Sequence, residues 1–397
     1  MCPLSWLSDS LREFWERGDK LLLALCLAAS GFGLVLIYSA TRWNNDNRSV
    51  VVQALGIFLG VLVYVALSTV DLELFVEKSW KWLLLFNVAL ILALIPFGWG
   101  DTTTGNKNWI SIPGTPLNIQ PAEVAKLIFI LLLAWQCARL QKKGISKPAS
   151  VFQLVAHTGL MGGLIAVVSG DMGMTLVYLF LFVMLAWTSG IQLRWFVLGA
   201  SACAGGAAVI WPHISDKYYA RRITVVVDHI LGNQASLVEQ TQGQGWQQTR
   251  SILAIGSGGL TGQGYLHGIQ TQSPYKSSLI ARSTDNIFAV CGEELGLVGC
   301  IVVILILAAI IARCLWVASR APSPMAALAA TGYAGMLLFQ STLNIGMCLY
   351  VLPIVGLTLP FFSYGGTSVI TMFAAMGAVS SIKTRSLPSW LSDRSKL

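Results

Sequence analysis

Charge is what this sequence has least of. Asp, Glu, Lys and Arg make up 11% of its 397 residues and 55% of the chain is hydrophobic; soluble proteins carry roughly 25% charged residues. A mean hydropathy of +0.68 excludes a soluble globular domain and points to an all-α polytopic membrane protein. No Cys-x-x-Cys occurs among the eight cysteines. Most of them (Cys26, Cys137, Cys203, Cys291, Cys300, Cys314 and Cys348) lie in or beside apolar stretches. They read as small core residues, neither a disulfide frame nor a zinc site. The four histidines are scattered, so no metal site is assigned. The formal charge of +8 raises nucleic acid as a partner. The basic residues flank apolar spans, however, without forming a stripe interleaved with stacking aromatics, so no nucleic acid is expected. Anionic membrane lipid or a phosphorylated substrate suits them better. A cleavable signal is also missing, because charges fill the first residues and the apolar run comes later.

What is present is a series of apolar runs of about 20 residues, the length that crosses a bilayer. They fall near 20–40, 50–70, 80–98, 121–140, 151–170, 171–189, 193–211, 286–312, 325–349 and 356–382. About ten spans put both termini on one side. That side carries sixteen Lys and Arg, whereas the short loops opposite hold Arg42, Arg48 and Lys107. The positive-inside rule then makes both termini cytoplasmic. Residues 1–19 form a cytoplasmic interfacial helix, with Leu4, Leu7, Leu11 and Phe14 on one face. Residues 99–120 and 212–285 are extracellular loops and 383–397 a cytoplasmic tail, all within one membrane domain spanning 1–397. A segment as long as 212–285 is more than a connector. Its glycine run, Ile255 to Gly264, lacks the Lys-Ser/Thr ending and preceding strand of a phosphate cradle.

Polar groups inside apolar sequence need a reason. Asp285 stands at the polar edge of the eighth span, with Glu293 and Glu294 about two turns deeper. Glu293 and Glu294 suit a structural role as hydrogen-bonded staples. Asp171 opens the sixth span and suits a helix cap; Asp285 allows that reading too, in a richer setting. Glu123 and Lys126 in Gln120-Pro121-Ala122-Glu123-Val124-Ala125-Lys126 are i,i+3 neighbours able to pair. They are either a self-neutralised staple or a charged patch in a cavity. Arg221, Arg222, Arg250, Lys276 and Arg282 crowd the long outer segment, either as a solvated face or as an anion site. Prolines and glycines from Leu352 to Ser368 imply broken or re-entrant helix, tolerated where it is buried or lines a wet cavity. Ser363, Tyr364, Thr367 and Ser368 are candidates to line that cavity.

Together NIQPAEVAKL, SGDMGMTLV, ILAIGSGGLTGQGYLHGIQTQ, STDNIFAVCGEELGLVG and NIGMCLYVLPIVGLTLPFFSYGGTS resemble, in order and over nearly the whole chain, the signatures of the SEDS family (shape, elongation, division and sporulation). HGIQTQ resembles the RodA branch more than the FtsW branch, which implies support of cell elongation and rod shape. The resemblance implies a peptidoglycan glycosyltransferase that polymerises lipid II at the outer face of the bacterial cytoplasmic membrane. The family's essential acid falls on Asp285, its Glu–Lys pair on Glu123 and Lys126, and its outer-loop tryptophan on Trp109. Asn108 stands where the family often has Arg, Asn286 where it usually has Phe, and QPAE where it has QPSE. A class B penicillin-binding protein is the implied partner, because transpeptidase chemistry is absent.

The residues accommodate that reaction. An inverting single displacement needs one general base on the acceptor hydroxyl and positive charge for the leaving diphosphate. Asp285 is the catalytic base in this reading. Arg221, Arg222, Arg250, Arg282 and Lys126 are the candidate diphosphate contacts, with Glu123, Trp109, Ser363 and Thr367 completing the substrate site. No organic cofactor is called for; a divalent cation such as Mg2+ is compatible with the leaving group, although one acid does not define its site. Two other classes fit the intramembrane charges: a lipid II flippase and a non-catalytic scaffold for a penicillin-binding protein.

Overall fold

A computed structural model describes residues 14–100, 106–115, 118–215, 218–233, 236–275 and 278–385. Most of the interfacial helix expected in 1–19, most of the 383–397 tail and Lys276 lie outside these residues. Phe14 is inside them, buried edge-on against Tyr64 with ring centroids 5.9 Å apart.

The chain is a bundle of long helices: α1 (Lys20–Arg42), α2 (Asn47–Thr69), α3 (Leu72–Leu92, continued by the turn Leu94–Phe97), α4 (Pro121–Gln141), α5 (Pro148–Leu164, ending in a π turn, Ile165–Ser169), α6 (Met172–Thr188) and α7 (Leu193–Ile214). Three shorter helices in the outer segment follow: α8 (Tyr218–Ile230), α9 (Leu237–Thr241) and α10 (Trp246–Gly258). Then come α11 (Ile287–Ser319), α12 (Pro324–Cys348) and α13 (Gly366–Arg385). The only sheet among the described residues pairs β1 (Ile110–Ser111) antiparallel with β2 (Asn118–Ile119). Local chemistry sets the starts. Asp19, Asp46, Asp71, Asp171 and Ser323 each accept a first-turn N–H, and prolines open α4, α5 and α12, where a missing N–H costs nothing.

Seven helices are long and apolar enough to cross a membrane, and α6 is apolar but shorter. The chain is therefore a multi-pass membrane protein. α12 and α13 stand where the ninth and tenth spans are expected, yet they are not among the seven. Their Gly, Ser, Thr, Gln and Asn side chains lower their hydropathy, and both are largely buried within the bundle. A helix shielded from lipid does not need a lipid-like surface. Three boundaries differ from expectation, one of them the end of the eighth span, where α11 runs on to Ser319 instead of stopping near 312. The third span starts at Leu72, because Asp71 caps it ahead of its charged first turns. The last starts at Gly366, because residues 350–365 carry turns and irregular backbone in place of helix.

Charges mark one end of the bundle. Asp19 accepts from Arg313 at 2.9 Å and lies 3.8 Å from Lys383, and Arg385 lies 3.7 Å from Asp71. The start of α1 and the ends of α11 and α13 therefore meet on one side.

The glycine run has a structural purpose. α11 breaks at Gly296 (φ 66°, ψ −162°), a conformation open to glycine and strained for other residues. The backbone groups freed there are taken up by the outer segment. Gln263 and Gly264 N–H donate to the Glu293 and Glu294 carbonyls, while Leu297 and Val298 N–H donate to Gly259 and Leu260. A Cβ at Gly262 would overlap the Glu294 carbonyl.

Candidate active site

At the opposite end from the Asp19 cluster lies a cavity of about 340 Å³. The N-terminal turn of α4 contributes Gln120 and Glu123; the β-ribbon segment contributes Asn108, Trp109 and Asn118; the cap of α6 contributes Asp171. Thr284 and Asp285 enter from the approach to α11, and Thr358, Tyr364 and Ser368 from the broken segment.

Asp285 is half-buried, and its backbone is held on several sides. Asn344 Nδ2 donates to its carbonyl at 2.8 Å, and also to the Leu357 carbonyl at 2.7 Å. The preceding residues are tied to the broken segment: Ser363 Oγ donates to the Thr284 carbonyl at 2.6 Å and Tyr364 N–H to the Ser283 carbonyl at 2.7 Å. The carboxylate itself makes no hydrogen bond or ion pair among the described residues. Desolvation pushes its pKa up to about 6, against the opposing pull of the Arg222 guanidinium. An acid tuned this way is poised to take a proton near neutral pH.

The neighbouring polar groups are more fully engaged. Lys126 Nζ donates to Glu123 Oε2 at 2.7 Å, with both side chains buried. Asp171 Oδ1 accepts the Met174 N–H at 2.9 Å, as a cap should, while Oδ2 accepts from Gln120 and Asn108 at 3.3 and 3.4 Å. Burial raises its pKa to about 6, and the nearby Glu123 and Asp285 add to the rise. Ser169 Oγ donates to Asn108 Oδ1. The residue at 108, uncharged in this chain, thus ties the ribbon to the cap of α6.

The other candidates divide. Arg222 donates to the Ile354 carbonyl at 3.0 Å, on the segment that lines the cavity. Arg221 is exposed. Arg250 lies over the Trp246 ring at 4.1 Å. Arg282 is buried and donates to the carbonyls of Leu279, Thr271, Ser273 and Tyr275 at 2.7–2.9 Å, with its guanidinium 4.5 Å from the Trp43 ring. Those carbonyls, not the cavity, hold its charge. Ser363 and Thr367 turn to backbone partners, Thr284 and Asn118 respectively, whereas Tyr364 and Ser368 face the cavity. Glu293 accepts from Gln270 N, Thr271 N and Thr271 Oγ1 at 2.6–2.8 Å. Glu294 accepts from Ser39 Oγ and Gln272 Nε2. Gln120, Asn108, Thr358 and Trp99 also line the cavity without having been singled out for it. Gln120 stood next to the Glu–Lys pair, but nothing local announced its bond to Asp171.

The family model of FtsW, RodA and SpoVE cell cycle proteins matches residues 19–387. The chain belongs to this family. It is the SEDS family that the motifs resemble. Among SEDS relatives, peptidoglycan glycosyltransferase MrdB of Escherichia coli is 28% identical over 382 residues, covering 94% of this chain and 96% of that protein. Stage V sporulation protein E of Bacillus subtilis is 29% identical, covering 91% and 95%. A chain from a peptidoglycan synthase complex, solved for the structural coordination of polymerization and crosslinking, superposes with a TM-score of 0.75 at 28% identity, covering 92% of this chain and 97% of that one. The rod shape determining protein RodA of Thermus thermophilus superposes with a TM-score of 0.66 at 25% identity, covering 94% and 98%.

Proposed function

We propose that this protein is a peptidoglycan glycosyltransferase that polymerises lipid II, with Asp285 as general base. The observation that carries the reading is the Asp285 carboxylate: unpaired among the described residues, facing a cavity, raised toward neutrality and pinned through its backbone. Its similarity to named peptidoglycan glycosyltransferases supplies the substrate class. In the reaction the acceptor hydroxyl loses its proton to Asp285 as its oxygen bonds the donor's anomeric carbon. The carbon–oxygen bond to the lipid diphosphate breaks, configuration inverts and the diphosphate leaves. Among the candidate cations, Arg222 is the one whose charge reaches Asp285, and its part is to tune that base. Lys126 acts through Glu123, holding that carboxylate at the cavity wall.

No group of three metal-ligating side chains converges among the described residues. A divalent ion shared between one carboxylate and the donor's diphosphate fits such a site; Asp285 or Glu123 would be its protein ligand, and the ion would neutralise leaving-group charge. The cavity opens on the outer face of the bacterial cytoplasmic membrane in this reading, with both termini cytoplasmic. The shared end of α1 and α13 and the distribution of Lys and Arg support that orientation. The polymer needs crosslinking, and the likeness to a chain from a complex that coordinates polymerization and crosslinking makes a class B penicillin-binding transpeptidase the partner, with cell elongation the setting.

The deciding experiment is polymerisation of lipid II by the purified protein with its partner, wild type against Asp285→Asn. Glycan strands from the wild type and none from the variant are expected. Strands from both would remove Asp285 from the chemistry. Strands from neither, with lipid II crossing vesicles containing the wild type, would favour the flippase; neither strands nor transport would leave a scaffold.

A further inference from the structure

The end of the bundle far from Asp285 carries a second, differently built site. α4 has 21 residues, so its C-terminal end lies about 30 Å from the Asp285 cavity at 1.5 Å per residue. There, two adjoining cavities of about 610 and 300 Å³ share Trp80, Trp135, Arg139 and Lys143. The indoles of Trp80 and Trp135 stack with centroids 5.1 Å apart. Lys81 and Arg139 lie 5.5 and 5.4 Å over those rings. Indoles and long cationic side chains at a helix end mark the headgroup level of a bilayer.

The charges in the larger cavity are of both signs. Glu73 and Glu77 come from the first turns of α3, and Arg139, Lys142 and Lys143 from the end of α4. None of these acids pairs with any of these bases: the ion pairs among the described residues lie elsewhere. Glu73 is engaged by the Ser323 hydroxyl at 2.6 Å, and Glu77 has no hydrogen bond or ion pair among the described residues. Opposite charges that line one space yet stay apart leave a gap with a positive and a negative wall. The smaller cavity adds a neutral donor. Gln136, nine-tenths buried, lines it. Its Oε1 is held by His157 Nδ1 at 2.8 Å, which leaves its amide N–H groups for a guest.

We propose that this cavity binds the headgroup of an amine-bearing glycerophospholipid from the leaflet opposite the Asp285 site. The phosphodiester sits against Arg139, Lys143 and the Gln136 amide. The ammonium turns to Glu77 and Glu73, and the stacked indoles flank the glycerol. A purely anionic headgroup satisfies the bases but sets its charge against the two glutamates, so the cavity selects a zwitterion. This assignment is independent of the polymerase reading.

Native mass spectrometry of the full-length protein, delipidated in detergent and titrated with defined lipids, tests it. The probes are dioleoylphosphatidylethanolamine, its N-acetylated form and dioleoylphosphatidylglycerol. Wild-type protein is expected to bind the first about tenfold more tightly than either of the others, the effect of one charge-assisted contact. Glu77→Gln should erase that preference while keeping phosphatidylglycerol binding, and Arg139→Gln with Lys143→Gln should weaken all three lipids. All the substituted side chains are exposed, and unchanged melting temperatures confirm folding. Equal affinity of the wild type for the three lipids would overturn the amine recognition without any variant. Full retention of phosphatidylethanolamine by the Arg139/Lys143 variant would overturn the site.

Discussion

Asp285 and Glu293 sit eight positions apart in one stretch, and the fold treats them in opposite ways. Glu293 is fully buried and receives three donors from the outer segment. Asp285 faces a cavity and receives none among the described residues. A buried carboxylate is expensive until hydrogen bonds satisfy it. Where they do, as at Glu293, the acid is part of the scaffold; at Asp285 they are withheld, and the acid is available for chemistry.

That contrast can be broken most severely at Asp285 itself. Asp285→Asn should lower lipid II polymerisation by about 10²–10⁴-fold, the usual worth of a general base, without lowering the melting temperature. The sign follows from its pKa. The folded value of about 6 exceeds the unfolded one, so ionisation costs stability as pH rises through that range. The asparagine escapes this cost above pH 6. Activity of the wild type should fall as pH drops through about 6, with the base protonated. The buried pair comes next: Lys126→Met should destabilise by about 3–5 kcal/mol, because it strands Glu123. Thermal unfolding should show Glu123→Gln with Lys126→Met recovering part of the loss. Glu293→Gln removes charge from three hydrogen bonds and should cost about 2 kcal/mol while leaving the pH profile of the residual activity in place. If that profile moved instead, Glu293 would belong with Asp285. The mildest change is expected from Arg222→Gln. Without that positive charge the Asp285 pKa rises further, so the activity midpoint shifts to higher pH, with a loss under about tenfold at pH 7.5.

Much of the architecture was legible because lipid imposes a simple rule on long apolar runs. The first seven helices, apart from the start of the third, the eighth with Asp285 at its threshold and the irregular stretch after Leu352 follow from hydropathy, Pro and Gly. The Glu123–Lys126 pair was legible from i,i+3 spacing. What could not be read is long-range. Arg282 lies three residues from Asp285 and invites an anion-binding role, but its donors are claimed by carbonyls that only the folded loop brings round. Asn108 and Gln120 meet at Asp171 across 63 and 51 residues. The glycine run was empty of function as a phosphate cradle, since its true counterpart is the backbone of residues 293–298. Whether Ser363 or Tyr364 faces the cavity depends on turns that no periodicity encodes.

The break at Gly296 has a mechanical side. A helix interrupted by glycine is commonly a loose joint, but here four backbone hydrogen bonds lash the joint to the outer segment. The interruption is therefore a fixed elbow. A tilt of the lipid-embedded arm, residues 297–319, would have to break those bonds or carry the outer segment with it. The protein carries a lever whose short arm ends beside Asp285 and whose long arm runs through the bilayer.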